Sequence, residues 1–185
     1  MINGDRVRLR AVEKDDLPHY VAWLNDPEVR QGLGHYLPIS QTAEEKWYED
    51  LQKKPPYEQS MAIEIQPEGK EWVFVGGCGF FAFDWRIRQA EVGIHIGEKK
   101  YWNQGFGTRV MLLLLKHGFG TLNLNRVSLR VYGNNPRAIK AYQKAGFVEE
   151  GVLREGHFHD NEYLDVILMS VLRSEWEENR SEKKP

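Results

Sequence analysis

Hydrophobic and polar residues alternate with a period of two in several parts of the chain, which is the pattern of strands with one buried face. In the run 91–96, for example, Val92, Ile94 and Ile96 share one face, while Glu91 and His95 share the other. The predicted strands span residues 6–10, 60–66, 72–81, 89–97, 126–132, 147–159 and 162–172.

Between these segments, apolar residues recur every three or four positions, which predicts amphipathic helices. Leu17, Tyr20, Val21 and Leu24 form one such apolar face. The predicted helices span residues 13–26, 27–32, 42–53, 105–118 and 136–145, and a last short helix begins near residue 174.

Particular residue types mark where these helices begin and end. Thr42-x-x-Glu45 has the pattern of a capping box at a helix start. Asn135 followed by Pro136 is typical of a capped first turn, and Gly146 is typical of the residue just past a helix end.

The order of the elements predicts the fold class. Gly76, Gly77 and Gly79 lie inside one strand and predict a bulge or a close approach of two backbones. Strands and helices follow one another in the order β, α, α, β, β, β, α, β, α, β, β, which predicts an α/β (α+β) fold with helices flanking a mixed sheet. We expect one domain over residues 1–178 and a charged, disordered tail over residues 179–185.

Composition narrows the class of protein. The 185 residues are 41% hydrophobic and 28% charged, with a net charge of −2, as in ordinary soluble domains. This charge balance argues against a dedicated nucleic-acid binder, and no run of residues is long enough for a membrane span. Cys78 is the single cysteine, and the start of the chain does not resemble a signal peptide, so we expect a reducing cytoplasm.

The stretch 101–108 predicts a phosphate site. It lies between the strand at 89–97 and an apolar helix, and it contains Gly105 and Gly107. Glycines let the main chain approach a ligand closely, and the first amides of the helix have no partner inside the helix. Such amides bind phosphate or pyrophosphate groups.

Two motifs together resemble the GNAT superfamily of acetyl-CoA-dependent acyltransferases. They are Trp102-x-x-Gly105-x-Gly107 and Asn135-x-x-Ala138-x-x-x-Tyr142-x-Lys144-x-Gly146-Phe147. The first is similar to the family's pyrophosphate turn, and the second to its next helix. One departure is visible, because Trp102 stands where that family has arginine or glutamine.

The resemblance implies a fold and a co-substrate. The fold is a mostly antiparallel sheet of about seven strands, with a V-shaped splay between the strands at 89–97 and 126–132. The co-substrate is acetyl-CoA, and its pantetheine is expected to pair with the main chain of residues 94–96. The residues that the resemblance implies for cofactor binding are Ile96, Trp102, Asn103, Gln104, Gly105, Phe106, Gly107, Thr108, Asn135, Ala138 and Tyr142.

The resemblance also implies direct transfer of the acetyl group to an amine, with Tyr142 as the acid that protonates the leaving thiolate. Tyr142 could instead be a core residue of an amphipathic helix. Glu91 matches a base glutamate in one branch of the family, but a strand carboxylate can also simply pair with a neighbouring cation. His95, on the same strand face, is the alternative base.

The acceptor amine is expected to bind among residues 32–37, the strand bearing Glu91 and the final hairpin. The chain resembles the branch of ribosomal-protein alanine N-acetyltransferases and their relatives, the polyamine N-acetyltransferases. A protein N-terminus and a polyamine are therefore both candidate acceptors, and a homodimer is expected from the family. A different class of function, a sensor that binds acetyl-CoA without turnover, remains as an alternative.

The residues outside these motifs give weaker indications of function. His157, His159, Asp160 and Glu162 surround a predicted turn, but they lack the spacing of a zinc site, so we expect no metal. Tyr36, Trp85 and Phe158 are candidates for the wall of the acceptor site.

Overall fold

The computed structural model of the protein describes residues 1–181 and contains an eight-stranded sheet with six α-helices. In chain order the elements are β1 (Ile2–Asn3), β2 (Val7–Ala11), α1 (Leu17–Asn25), α2 (Pro27–Arg30), α3 (Gln41–Lys53), β3 (Met61–Ile65), β4 (Val73–Asp84), β5 (Gln89–Ile96), α4 (Phe106–Gly120), β6 (Arg126–Tyr132), α5 (Pro136–Ala145), β7 (Val148–His159), β8 (Glu162–Leu172) and α6 (Arg173–Ser181). Short 3-10 turns lie at Lys14–Asp16, Pro56–Glu58 and Lys99–Tyr101.

The strands are ordered β1-β2-β3-β4-β5-β6-β8-β7 in the sheet. Every neighbouring pair is antiparallel except β5 and β6, which are parallel. The mixed, mostly antiparallel sheet predicted from the sequence is therefore confirmed. The strand that the sequence did not predict is β1, which is only two residues long and pairs with β2.

The parallel strands β5 and β6 stay together only at one end. Their paired residues are Gln89 with Arg126, Ala90 with Val127 and Glu91 with Ser128. Beyond Glu91, β5 continues to Ile96 along β4, while β6 continues to Tyr132 along β8. Because each strand follows its other neighbour, a V-shaped gap opens between them, as the family resemblance implied.

Two apolar clusters cover the two faces of the sheet. On one face, α4 buries one side, and its Val110, Met111 and Leu114 share an apolar cluster with strand residues such as Leu9 and Ile63. The other face is covered by α1 and α3, whose buried residues include Tyr20, Trp23 and Leu51. Residues that alternate along β5 therefore face either the α4 side or the α1 side.

Glycines in β4 allow the backbones to approach closely, as predicted. A Cβ atom at Gly76 would lie 2.0 Å from the carbonyl oxygen of His95 on the paired strand. The register between β3 and β4 shifts beside it, between Ile63 and Glu64, which is the predicted bulge.

Two predicted helix boundaries change in the structure. The N-cap of α3 is Ser40, whose Oγ accepts a hydrogen bond from the Ala43 amide at 3.1 Å, so the capping box predicted at Thr42 and Glu45 is wrong. Ser40 and Thr42 are both residue types that cap helices. In the structure the backbone is extended at Ser40 and helical from Gln41 onward, so Ser40 is the cap. At the other end of the chain, α6 continues to Ser181, three residues into the predicted tail. Residues 182–185 of that predicted tail lie outside the described residues.

The caps of α5 are as predicted. The side chain of Asn135 accepts a hydrogen bond from the Ala138 amide at 3.1 Å, and Gly146 ends the helix with φ at 103°. Within residues 1–181, no helix combines the length and the apolar character needed to cross a bilayer.

The close approach at Gly76 gives a stability prediction. Gly76→Ala should lower the free energy of unfolding by about 1–3 kcal/mol or more, because the new methyl group meets a backbone oxygen that cannot rotate away. Gly120→Ala is the matched control, since a Cβ atom there has no neighbour within 4 Å. Urea denaturation measures both variants, and equal stability of the two would contradict the close approach.

Candidate active site

A cavity of about 590 Å³ lies where β5 and β6 separate. Its lining comes from β5, the turn after β5, the start of α4, β6, α5, the hairpin of β7 and β8, and the segment after α2. Of the site residues predicted from the sequence, all but Gln104 line this cavity: Glu91, His95, Ile96, Trp102, Asn103, Gly105, Phe106, Gly107, Thr108, Asn135, Ala138 and Tyr142.

The turn before α4 presents main-chain amides to the cavity. Gly105 is the N-cap of α4 with φ at 80°, and Asn103 also has a positive φ of 60°. The first amides of α4 have no partner within the helix and lie at the positive end of its dipole. The indole N–H of Trp102 donates a hydrogen bond to the Ile96 carbonyl at 2.7 Å, which ties this turn to the end of β5.

The side chains of the turn have structural partners of their own. Thr108 Oγ1 donates to the Ala141 carbonyl at 3.3 Å and so connects α4 to α5. Gln104 Nε2 donates to the Lys100 carbonyl at 2.7 Å, and this side chain lies outside the cavity lining. Because these two side chains already have partners, the anion site predicted at this turn depends on its main-chain amides.

A row of cations on α5 faces the cavity, and the sequence analysis missed it. Arg137, Lys140 and Lys144 all line the cavity, and none of them forms an ion pair within residues 1–181. The guanidinium carbon of Arg137 lies 3.6 Å from the ring centroid of Trp102. Burial lowers the pKa of Arg137 from its ordinary value. Their spacing of three and four residues, which places them on one helix side, was the signal available in the sequence.

Tyr142 occupies a mostly buried position on the α5 side of the cavity and packs against Phe147 with 6.0 Å between ring centroids. Burial raises the pKa of Tyr142 to about 12, and the positive charge of Arg137 opposes the shift only in part. The phenol therefore holds its proton throughout the neutral range, as a proton donor must.

Glu91 and Arg130 form an ion pair at the point where the strands separate. Glu91 Oε1 lies 3.4 Å from Arg130 Nε. The Glu91 side chain is 18% exposed and the Arg130 side chain 62% exposed. The strand-face argument could not reveal Arg130, because the contact joins two strands that are distant in the sequence.

His95 lies on the α1 side of the sheet, among aromatic rings. Its ring centroid is 5.5 Å from that of Tyr20 and 6.4 Å from that of Trp23. Its Nε2 atom and the Tyr20 hydroxyl are buried without a hydrogen-bond partner in the described chain. Burial, with a smaller contribution from His35, lowers the pKa of His95 to about 4, so the imidazole is neutral at neutral pH.

The acceptor side of the cavity is lined partly as expected. Gly32 and Leu33 line it, as do residues of the final hairpin. The His157 ring stacks on Tyr132 with 3.9 Å between centroids, and burial lowers the pKa of His157. The proposed wall residues Tyr36, Trp85 and Phe158 are exposed and do not line the cavity. Residues 1–181 contain no group of three or more His, Cys, Asp or Glu side chains that could hold a metal.

Comparisons with known proteins agree with this geometry. A family model described as an acetyltransferase (GNAT) domain matches residues 6–148. A crystal structure of spermidine N-acetyltransferase from Vibrio cholerae, in complex with CoA and spermine, superposes with a TM-score of 0.83 at 27% identity, covering 92% of this chain and 98% of that chain.

Two curated relatives are also similar. The chain is 28% identical over 182 residues to an uncharacterized N-acetyltransferase, p20, from Bacillus licheniformis, covering 93% of this chain and 96% of the relative. It is 39% identical over 95 residues to spermidine N(1)-acetyltransferase of Vibrio cholerae serotype O1, covering 51% of this chain and 54% of that one.

The low pKa of His95 predicts a loss of stability in acid. An unfolded histidine binds a proton near pH 6.5, whereas the folded one does so only near pH 4. The contribution of His95 is thus complete above pH 6.5 and is lost as the pH falls towards 4. Between pH 7.5 and pH 4.5, the free energy of unfolding should fall by about 2–3 kcal/mol more in the native chain than in His95→Phe.

Urea denaturation at the two pH values measures this difference. The carboxylates titrate in both proteins, so their effect cancels in the comparison. Equal losses of stability in the two proteins would show that the pKa of His95 is not lowered in the folded state.

Proposed function

Because this chain belongs to the GNAT acetyltransferase family, we propose that its cavity between β5 and β6 transfers the acetyl group of acetyl-CoA directly to a primary amine. Membership of this family makes the chain an N-acetyltransferase with acetyl-CoA as its co-substrate. The observation that carries the proposal for the site is that Tyr142, Glu91 and the phosphate turn all line one cavity, which lies where β5 and β6 separate.

The donor half of the site suits the phosphates of CoA. The amides at the start of α4 bind the pyrophosphate, and Gly105 supplies the left-handed turn that exposes them. Arg137, Lys140 and Lys144 provide the positive charge that the family's turn carries in its own arginine. The indole of Trp102 makes a cation–π contact with the Arg137 guanidinium. Trp102, which replaces the family's arginine or glutamine, therefore positions a cation from α5 beside the turn.

The pantetheine arm follows the free edge of β5. Beyond Glu91 that edge has no partner strand among residues 1–181, and the amides of the arm pair with the main chain of Ile94 to Ile96. The Ile96 carbonyl already accepts the Trp102 indole. We assign the Ile96 amide to the thioester oxygen, because an N–H donor is needed where negative charge develops in the transition state.

The chemistry then needs one proton acceptor and one proton donor. An ammonium group gives up a proton, and its nitrogen attacks the thioester carbonyl to form a tetrahedral intermediate. The carbon–sulfur bond breaks as the thiolate takes the Tyr142 phenol proton. The second proton of the attacking nitrogen then passes through water to the Tyr142 phenolate, which leaves the neutral amide and restores the phenol. Glu91 takes the amine's proton, directly or through water. His95 is the weaker candidate for the base, because burial lowers its pKa to about 4 and it holds a proton poorly.

The solved relative supports a polyamine as the acceptor, because that protein is in complex with CoA and spermine. The resemblance to ribosomal-protein alanine N-acetyltransferases supports a protein N-terminus as the acceptor instead. A sensor without turnover is the least favoured function, because the phosphate turn, Tyr142 and Glu91 are all in place around one cavity. One domain over residues 1–178, a homodimer and a cytoplasmic location stay predictions.

Release of CoA thiol in the presence of a panel of primary amines tests the proposed function. The native chain should release thiol only when an amine is present. Tyr142→Phe should lower kcat by about 10²–10⁴ while the dissociation constant for acetyl-CoA stays the same, because the phenol acts on the leaving thiolate. Tyr163→Phe, which removes an exposed hydroxyl outside the cavity lining, is the matched control. An unchanged kcat in Tyr142→Phe would remove Tyr142 from the mechanism.

The cationic row on α5 gives a separate prediction. Arg137→Gln should raise the KM for acetyl-CoA about tenfold or more and leave kcat nearly unchanged, since a charge-assisted contact to phosphate is lost in every bound state. Arg86→Gln removes the same charge from a side chain that is 86% exposed and should leave KM unchanged. Equal KM values for Arg137→Gln and the native chain would place the phosphates elsewhere.

A further inference from the structure

Arg130 is the cation at the mouth of the acceptor side. It lies two residues beyond Ser128, the last residue of β6 that pairs with β5. Its Nε faces the Glu91 carboxylate at 3.4 Å, and the side chain is largely exposed. The two terminal nitrogens of its guanidinium have no hydrogen-bond partner within the described chain, so up to four N–H donors remain for a ligand.

The charges around Arg130 do not suit a polycation. Glu91 is the single carboxylate among the described side chains that line the cavity, and Arg130 already neutralises it. His95 and His157 add no negative charge, and their lowered pKa values keep them neutral at neutral pH. A polyamine carries further ammonium groups, and no second carboxylate among the described residues lines the cavity to balance them.

The same pair suits an amine that has an oxygen group beside it. An α-amino acid or a peptide N-terminus carries its ammonium one carbon away from a carboxylate or carbonyl. Glu91 and Arg130 place opposite charges side by side in the same relation. A guanidinium binds a carboxylate through two parallel N–H donors and can bind a carbonyl through one or both.

The walls next to Arg130 fit this acceptor as well. The stacked rings of Tyr132 and His157 form one side, and Gly32 and Leu33 form another. A Cβ atom at Gly34 would lie 3.5 Å from the Tyr132 hydroxyl, so the segment after α2 passes close above this ring. Apart from the Glu91 and Arg130 pair, these walls are uncharged at neutral pH, and their polar groups are the Tyr132 hydroxyl and the His157 imidazole.

We propose that the acceptor is a compound with an α-amino group beside a carboxylate or carbonyl oxygen, which Arg130 binds while Glu91 receives the amine. This inference rests on the proposed function and specifies its substrate class. In the reaction, the α-ammonium passes one proton to Glu91, and the new N–C bond forms. The C–S bond breaks as the thiolate takes the Tyr142 proton, and the second proton of the attacking nitrogen passes through water to the Tyr142 phenolate, which leaves the neutral amide. Arg130 keeps its protons and holds the oxygen in the ground and transition states alike.

The test measures kcat and KM for four acceptors with saturating acetyl-CoA: alanine, an alanine-initiated tripeptide, spermidine and spermine. The native chain should use at least one alanyl compound with a kcat/KM about tenfold or more above both polyamines. Alanine and the tripeptide distinguish a free amino acid from a chain terminus.

Variants of Arg130 then isolate its role. Arg130→Gln should lower kcat/KM for the alanyl acceptor about tenfold or more, mainly through KM, while the values for spermidine stay the same or rise. Arg130→Glu should shift the preference towards spermidine, because it replaces the cation with a second carboxylate. Arg154→Gln is the control, since it removes an exposed arginine that does not line the cavity.

Each contrary result has a distinct meaning. A native preference for spermidine or spermine, or an alanyl KM that does not respond to Arg130→Gln, would overturn the inference and leave the amine acetyltransferase in place. Acetyl-CoA binding without thiol release for any amine in a broad panel would overturn the proposed function, and the inference with it. Unchanged acetyl-CoA affinity in the Arg130 variants shows that they are folded.

Discussion

The site depends on the separation of β5 and β6 after three paired residues. Parallel strands normally satisfy each other's main-chain groups, and here one edge of β5 is left without that partner within the described chain. The edge stays in place because β4 pairs with β5 continuously from Glu91 to Ile96, and the close approach at Gly76 brings these two backbones together. The pairing of β5 with β4 thus keeps β5 apart from β6 and maintains the gap between them.

Charge is divided between the two halves of that gap. On the α5 side, three cations have no carboxylate partner in the described chain, which suits a co-substrate with several phosphates. On the acceptor side, one cation and one carboxylate balance each other, and the neighbouring imidazoles are neutral. The solved relative that binds spermine shares the fold at 27% identity, and fold similarity alone does not carry over the charges of an acceptor site.

Much of the fold could be predicted from local chemistry. The caps of α5 follow from Asn135, Pro136 and Gly146, because these residues act within a few positions of themselves. The alternation in β5 correctly placed Glu91 and His95 on one face. The cap of α3 could not be predicted, because the side chains of Ser40 and Thr42 can both accept a capping hydrogen bond. Which of them does so depends on where the backbone becomes helical. Arg130 could not be found either, because its partner Glu91 comes from another strand and only the sheet order brings them together.

The hydrogen bond from the Trp102 indole to the Ile96 carbonyl joins the two ends of the donor site. In the proposed site, the phosphate turn binds the pyrophosphate of CoA, and the end of β5 lies beside the thioester. The two proposed binding points are therefore tied to each other by a side-chain contact in addition to the main chain between them. A substitution at Trp102 would therefore disturb both ends of the donor site at once, although the residue lies in only one of them.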